Sequence, residues 1–269
     1  MKKFKTLLNA IFISIFLVLS LLPFVLIFIS CFNTSVDIKK GDIFSNFSLS
    51  NFGDNFIQLF SDDRFLISLA NSLIVSIITV VCGIIISSLA GYAYIVYKSK
   101  KSEKLFNLTF FAILIPSTVL IVPLFILVSK AQLLDSLFVC AIASMNLPFY
   151  IYLFRQNTKL FPIQLIQMAR IDGLSELKIF FKIYIPNMKS VFITSSLMLF
   201  IESWNGYLFP LIFLQNQNKF TLPLYLNFLG SSAHSNYGVF MMALLFSSIP
   251  MMVLFIFTQK HLKKSMQNL

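Results

Sequence analysis

Six long apolar stretches alternate with short polar connections along this chain of 269 residues, at roughly 7–32, 66–97, 105–129, 137–154, 191–214 and 238–258. About 20 consecutive apolar residues suffice for a helix to cross the hydrocarbon core of a bilayer. The pattern therefore predicts an all-α membrane protein with six transmembrane helices, forming a single transmembrane domain over 1–269. The second stretch is longer than the core requires, so its first turns, with Asn71 and Ser72, are expected near the interface. The fourth is short and holds Pro148. The first follows Lys2, Lys3 and Lys5 but is too long for the apolar region of a signal peptide, and it reads as a retained helix.

Composition supports lipid as the solvent. Only 12% of residues are charged and 58% are hydrophobic, and the 32 phenylalanines are spread over the whole length. The net charge of +11 attracts a nucleic-acid reading, but the cations sit in short tracts between apolar runs, without a basic helix or a zinc spacing. Their distribution follows membrane orientation instead. With the amino terminus in the cytoplasm, sixteen Lys and Arg fall in cytoplasmic segments and five outside, while Asp37, Asp42, Asp54, Asp62, Asp63 and Asp135 fall outside. Both termini are thus expected in the cytoplasm. Cys31, Cys82 and Cys140 lie in or beside apolar runs and read as small packing residues rather than disulfide partners or metal ligands.

Two connections are longer than a turn needs. The outer segment 33–65 is rich in Asn, Ser and Asp and reads equally as a packed cap or as a simple connection. The cytoplasmic segment 155–190 carries its own pattern. Pro162 suits a helix start, and a short helix is predicted from Ile163 to about Asp172, closed by Gly173. Ser175 is the expected N-cap of a second helix, ended by Pro186. In it Leu177, Phe180, Phe181 and Tyr184 fall at i, i+3, i+4 and i+7 on one face, flanked by Lys178, Lys182 and Lys189. Such a bracket fits a docking surface for a protein or an amphipathic helix lying on the inner leaflet, and physics alone weighs the two alike.

The order of residues breaks that tie. Ala169-Arg170-Ile171-Asp172-Gly173, followed after nine residues by Ile183 and then Ile185-Pro186, resembles the Glu-Ala-Ala (EAA) loop of ABC-importer permeases. Ala169, Gly173, Ile183 and Pro186 stand in register, while Gln167 and Met168 replace the motif's opening Glu and Ala and Ile185 replaces its Leu. The likeness extends over nearly the whole chain and is similar to the maltose-type second permease (MalG-like) of carbohydrate-uptake systems. It is carried by Asn71-Ser72-Leu73, Leu89-Ala90-Gly91-Tyr92-Ala93, Ile115-Pro116 with Val122-Pro123, Pro148-Phe149, Leu153-Phe154-Arg155-Gln156, Ser203-Trp204-Asn205 with Leu208-Phe209-Pro210-Leu211, and Gln259-Lys260. The C-terminal Ser265-Met266-Gln267-Asn268-Leu269 departs from the ending many such permeases carry.

The resemblance implies the type I ABC-importer permease fold in a bacterial cytoplasmic membrane. It implies half of a translocation pathway for a sugar or related carbohydrate (an oligosaccharide, a polyol or glycerol phosphate). The implied partners are a second permease subunit, an ATPase dimer that hydrolyses ATP and an extracytoplasmic sugar-binding protein; no cofactor, metal or catalytic residue belongs to the chain itself. Gln167, Ala169, Arg170, Asp172, Gly173, Leu177, Phe180, Phe181, Ile183 and Pro186 would form the ATPase-coupling loop, with small Ala169 and Gly173 on one face permitting close approach. Glu202, Trp204, Asn205, Pro116 and Pro123 are the candidate pathway residues, the two prolines reading also as fixed kinks for packing. Glu202 is the acidic residue well inside a predicted span and is expected to face the bundle interior, a polar cavity or the partner subunit. The rival is an ion-coupled secondary transporter, which needs more intramembrane ionisable groups than this. An intramembrane enzyme is disfavoured, since His234 and His261 fall on opposite sides of the membrane. The chain also has no phosphate-binding Gly-rich loop for ATP.

Overall fold

Where apolar runs exceed 20 residues and lipid offers no hydrogen bonds, the backbone must satisfy itself within each segment, and helices are the outcome. The computed structural model describes residues 2–44, 46–231 and 236–267, and all regular structure among them is helical. His234, Asn268 and Leu269 lie outside the described residues. In chain order the α-helices are α1 (Lys2–Ser30), α2 (Ser35–Lys40), α3 (Leu49–Phe60), α4 (Asp63–Val96), α5 (Lys100–Ala112), α6 (Ser117–Lys130), α7 (Leu137–Ala143) and α8 (Leu147–Thr158). Then follow α9 (Gln164–Ile171), α10 (Glu176–Ile179), α11 (Ile185–Asn187), α12 (Lys189–Trp204), α13 (Leu208–Phe213), α14 (Leu222–Ser231) and α15 (Tyr237–Gln267).

The expected spans take three forms. The first, second and sixth are single helices, with apolar stretches Asn9–Ser30, Asp63–Val96 and Tyr237–Gln259 long enough to cross. The third is α5 and α6, bent by 98° at the break before Pro116, and the fourth is α7 and α8, bent by 57° at Ser144–Asn146. The fifth is α12 and α13, separated at Asn205–Tyr207. Proline accounts for two of the breaks, since Pro116 and Pro148 cannot donate the hydrogen bond that would carry the preceding turn onward. Pro123 lies inside α6 without interrupting it, so of the two prolines only Pro116 stands at a break.

One compact unit comprises residues 1–69 and 224–250. Here the large apolar side chains of α1 from Ile11 to Val25 and at Phe28 are exposed, a surface that suits lipid and not water. The segment 33–65 is folded, which decides between cap and bare connection. Buried Asn55 donates to Cys31 O at 3.0 Å and to Asn33 O at 3.2 Å, while Asn33 donates to Ile29 O and Ile43 O. Phe32 stacks with Phe47 and Phe52. The Cys31 and Asn33 carbonyls in the turn that leaves α1 are thereby satisfied, and Asn33 ties that turn to Ile43 beyond α2.

The second unit comprises residues 70–223 and 251–269 and holds both candidate sites. Asn71 and Ser72 act as a staple: Asn71 donates to Asn218 O and Phe220 O, each at 3.0 Å, and Ser72 Oγ accepts from Leu222 N at 2.7 Å. Asp135 serves the same segment, its Oδ1 accepting from Gln215 N and Asn216 N at 2.6 and 2.8 Å. Gly91 lets α4 approach α8 closely, because a Cβ there would stand 2.6 Å from Phe154 Cβ and 2.8 Å from Arg155 N. Arg155, at the end of α8, is buried, pairs with Glu103 at 2.7 Å and lies 3.6 Å over the Phe106 ring.

Candidate functional site

The loop bracket is built around α9. The helix ends at Ile171, Asp172 caps it, and Gly173 follows with φ +77°, the left-handed conformation expected of it. Ile166 and Ala169 turn inward from α9 to a core shared with Tyr92, Phe161, Ile179, Phe180 and Tyr184. Tyr92, near the end of α4, is the hub: its ring meets Phe180 at 5.4 Å and Tyr184 at 4.9 Å. Polar groups lock the same joint. Arg170 pairs with Glu176 at 2.6 Å across the Gly173 turn, Tyr92 Oη donates to Glu176 at 3.2 Å, and Tyr184 is hydrogen-bonded to Thr158 at 2.6 Å. Arg170 holds the Glu176 carboxyl below its ordinary range, chiefly through that hydrogen bond.

The second helix of the bracket departs from the expected continuous α-helix. Four α-helical residues give way to a π-helical turn at Phe180–Tyr184, in which Ile185 N reaches Phe180 O, before α11 begins at Ile185 with Pro186 in its first turn. A proline ring clashes with the carbonyl four residues back, and widening the turn by one residue relieves this. The wider turn also splits the expected stripe. Phe180 and Tyr184 are buried in the chain's own core, whereas Leu177 and Phe181 are 66% and 62% exposed. Ile171, at the tip of the bracket, is 85% exposed, and Leu160 and Met168 also face outward. Gln167, Asp172 and Pro186 are exposed and Ile183 is half-buried. The expectation of a close-approach face at Ala169 and Gly173 is corrected: Ala169 packs inward, and open space surrounds Gly173, whose role is the turn.

A cavity of about 540 Å³ forms the second site, and residues from all three helix breaks line it. Ile115 and Pro116 come from the first break, Ser144 and Asn146 from the second, and Gly206 and Tyr207 from the third. Glu202 lines it too, its Oε2 accepting a hydrogen bond from the buried Tyr150 Oη at 2.9 Å. Broken helices place irregular backbone at membrane depth only where protein or a polar cavity receives it. Of the candidate pathway residues, the structure brings Glu202 and Pro116 to the cavity. Pro123 is not among its lining residues; Trp204 is buried and stacked on Phe200; and Asn205 folds back to Ile201 O at 3.0 Å. Tyr150, Tyr207 and Asn146 escape sequence reading because aromatic residues and Asn recur throughout the chain, and only their neighbours distinguish them.

Residues 83–268, which include the bracket and most of the cavity wall, match the model of the family described as binding-protein-dependent transport system inner membrane component. The chain belongs to that family. Among similar members are the lactose transport system permease protein LacG of Rhizobium radiobacter, 31% identical over 92% of this chain and 90% of that protein, and the arabinooligosaccharides transport system permease protein AraQ of Halalkalibacterium halodurans, 32% identical over 90% and 88%. The melibiose/raffinose/stachyose import permease protein MelC of Bacillus subtilis is 30% identical over 89% and 87%. The fold resembles that of a chain in the crystal structure of a bacterial ABC transporter involved in the import of the acidic polysaccharide alginate, with a TM-score of 0.83, 23% identity and 96% of both chains covered. This inner membrane component is therefore a multi-pass transport permease with the ABC-importer permease fold. The ion-coupled rival and the enzyme reading fall away with that membership.

Proposed function

We propose that this chain is one of two permease subunits of a carbohydrate importer, and that the bracket 155–190 couples it to separate ATPase subunits. The observation that carries the reading is the outward set Leu160, Met168, Ile171, Leu177 and Phe181 on a folded loop. Large apolar side chains gathered on a polar-side loop mark a contact surface for another protein. A rigid foundation accompanies it, since Phe180, Tyr184 and Ile166 anchor the bracket to α4 through Tyr92. Movement of the docked ATPase would thus pass to α4 as a rigid body. A membrane-surface role for the same loop lacks a continuous apolar face, because the π turn places Phe180 and Tyr184 inside.

The asymmetry of Lys and Arg supports cytoplasmic termini and a cytoplasmic bracket. Five crossings are long and apolar enough once each bent pair is one span, and α12 with α13 would make the sixth. The lactose, arabinooligosaccharide and raffinose relatives support a carbohydrate cargo. An extracytoplasmic sugar-binding protein would deliver it, and a second permease would supply the other half of the pathway. Purification of the tagged chain with Ile171→Cys, followed by cross-linking, tests the reading. An ATPase subunit is expected to be captured at position 171 and not from Phe44→Cys in the 33–65 segment. Failure to capture an ATPase from position 171, in a sample that retains the second permease, refutes it.

A further inference from the structure

Among the described residues that line the cavity, Glu202 alone carries a charge. Tyr150 is buried and holds Oε2 at 2.9 Å, while Oε1 has no hydrogen-bond partner among the described residues. The carboxylate is thus fixed at one oxygen and open at the other, which accepts an O–H or N–H from a solute. Tyr207 and Phe209 add aromatic surface and Ser144 and Asn146 add small polar groups on the same cavity. Glu202 lies in α12, within an expected membrane span, where a carboxylate is retained at considerable cost.

We propose that Glu202, held by Tyr150, makes this cavity a charge filter that takes neutral polyhydroxyl or cationic solutes and rejects anionic ones. The inference rests on the cavity belonging to the translocation pathway. A neutral sugar donates hydroxyl protons to Oε1 and lays its C–H face on an aromatic ring. A cationic sugar gains a charge-assisted bond in the same place. An anionic group meets the carboxylate with no lining cation to compensate, in a site whose low-dielectric walls focus the field.

The test reads charge selectivity without needing to know the cargo. The complex is purified with Cys31, Cys82 and Cys140 replaced by Ala and with Ser117→Cys as a thiol on the cavity wall. Its reaction rates with trimethylammonium and sulfonate methanethiosulfonate reagents are compared, each normalised to a free thiol in solution. The cationic reagent is expected to be favoured by about tenfold, the lower end of what focused fields produce in clefts. Glu202→Gln, whose amide oxygen still accepts from Tyr150, is expected to bring the ratio to about one. Asn146→Lys, which sets a cation on the same cavity, is expected to do likewise if the first variant fails to fold. A ratio that survives both variants overturns the proposal. So does a ratio of one in the assembled complex, which means that a cation of the partner subunit already neutralises Glu202. An absent ATPase in the purified sample counts against the importer reading alone, because the ratio is still measured on this chain.

Discussion

Two glycine-to-alanine substitutions of identical chemistry are expected to change stability in opposite directions. At Gly91 the new Cβ would stand 2.6 Å from Phe154 Cβ and 2.8 Å from Arg155 N. Both obstacles belong to the rigid part of α8, so no side-chain rotation clears them. Relief requires α4 and α8 to separate by roughly 1 Å, which forfeits a quarter to a half of the attraction at each contact across the joint. Overpacking of this kind costs about 1–3 kcal/mol, and the immobile obstacles place Gly91→Ala toward the upper end. Alanine returns about 1 kcal/mol through its better helix propensity, leaving a net loss of about 1–2 kcal/mol. At Gly53, inside α3, nothing lies within 4 Å of the new Cβ. Gly53→Ala therefore keeps the propensity gain of about 1 kcal/mol without the clash. Detergent-titrated unfolding followed by circular dichroism measures both, and emission from Trp204, the one tryptophan, gives a second probe of global unfolding. A Gly91→Ala protein as stable as the parent would refute the close packing of α4 on α8.

Other expectations follow from the same contacts. Gly173→Val should force a β-branched residue into φ +77°, at about 1–2 kcal/mol or more, and loosen ATPase association in a pull-down, whereas Gly173→Asn should largely retain it because Asn tolerates that conformation. Arg155→Lys should lower thermal stability by about 1–2 kcal/mol, since lysine keeps the charge toward Glu103 but loses the planar stack on Phe106; an unchanged melting temperature would contradict this. Because Arg170 depresses the Glu176 pKa below its ordinary 4.5, the pair stabilises the bracket above that value and its contribution is lost as pH falls through the depressed value. Hydrogen exchange of α9 should accordingly be pH-insensitive, beyond the intrinsic rate, from neutral pH to about 5 and quicken only in acid; Glu176→Gln should abolish that acid-dependent change.

Much of the candidate coupling site was legible because its signals are local. Gly173 closes α9 as its spacing after Ala169 suggests, and the bracket lies where the long 155–190 connection places it. The side of each residue was not legible. A 3.6-residue period puts Leu177, Phe180, Phe181 and Tyr184 on one face, but the π turn imposed ahead of Pro186 adds a residue and divides them between core and surface. The partners of Arg170 and Arg155 show the same limit: Glu176 and Glu103 are ordinary acids in the chain, and only the folded helices bring Tyr92 and Phe106 beside them.

Apolar length and composition alone determined that this chain belongs in a membrane as a multi-pass helical protein, and cation asymmetry alone supplied the expectation of which loops face the cytoplasm. These follow from the sequence because lipid penalises every unpaired backbone group and every misplaced charge, whatever the neighbours. Tertiary structure alone decided that Pro116 breaks its span while Pro123 does not, that Trp204 packs inside while Glu202 lines a cavity, and that Tyr150 holds that carboxylate. Each of those outcomes depends on which helices meet, and contacts between residues some fifty positions apart, such as Tyr150 and Glu202, leave no local period to read.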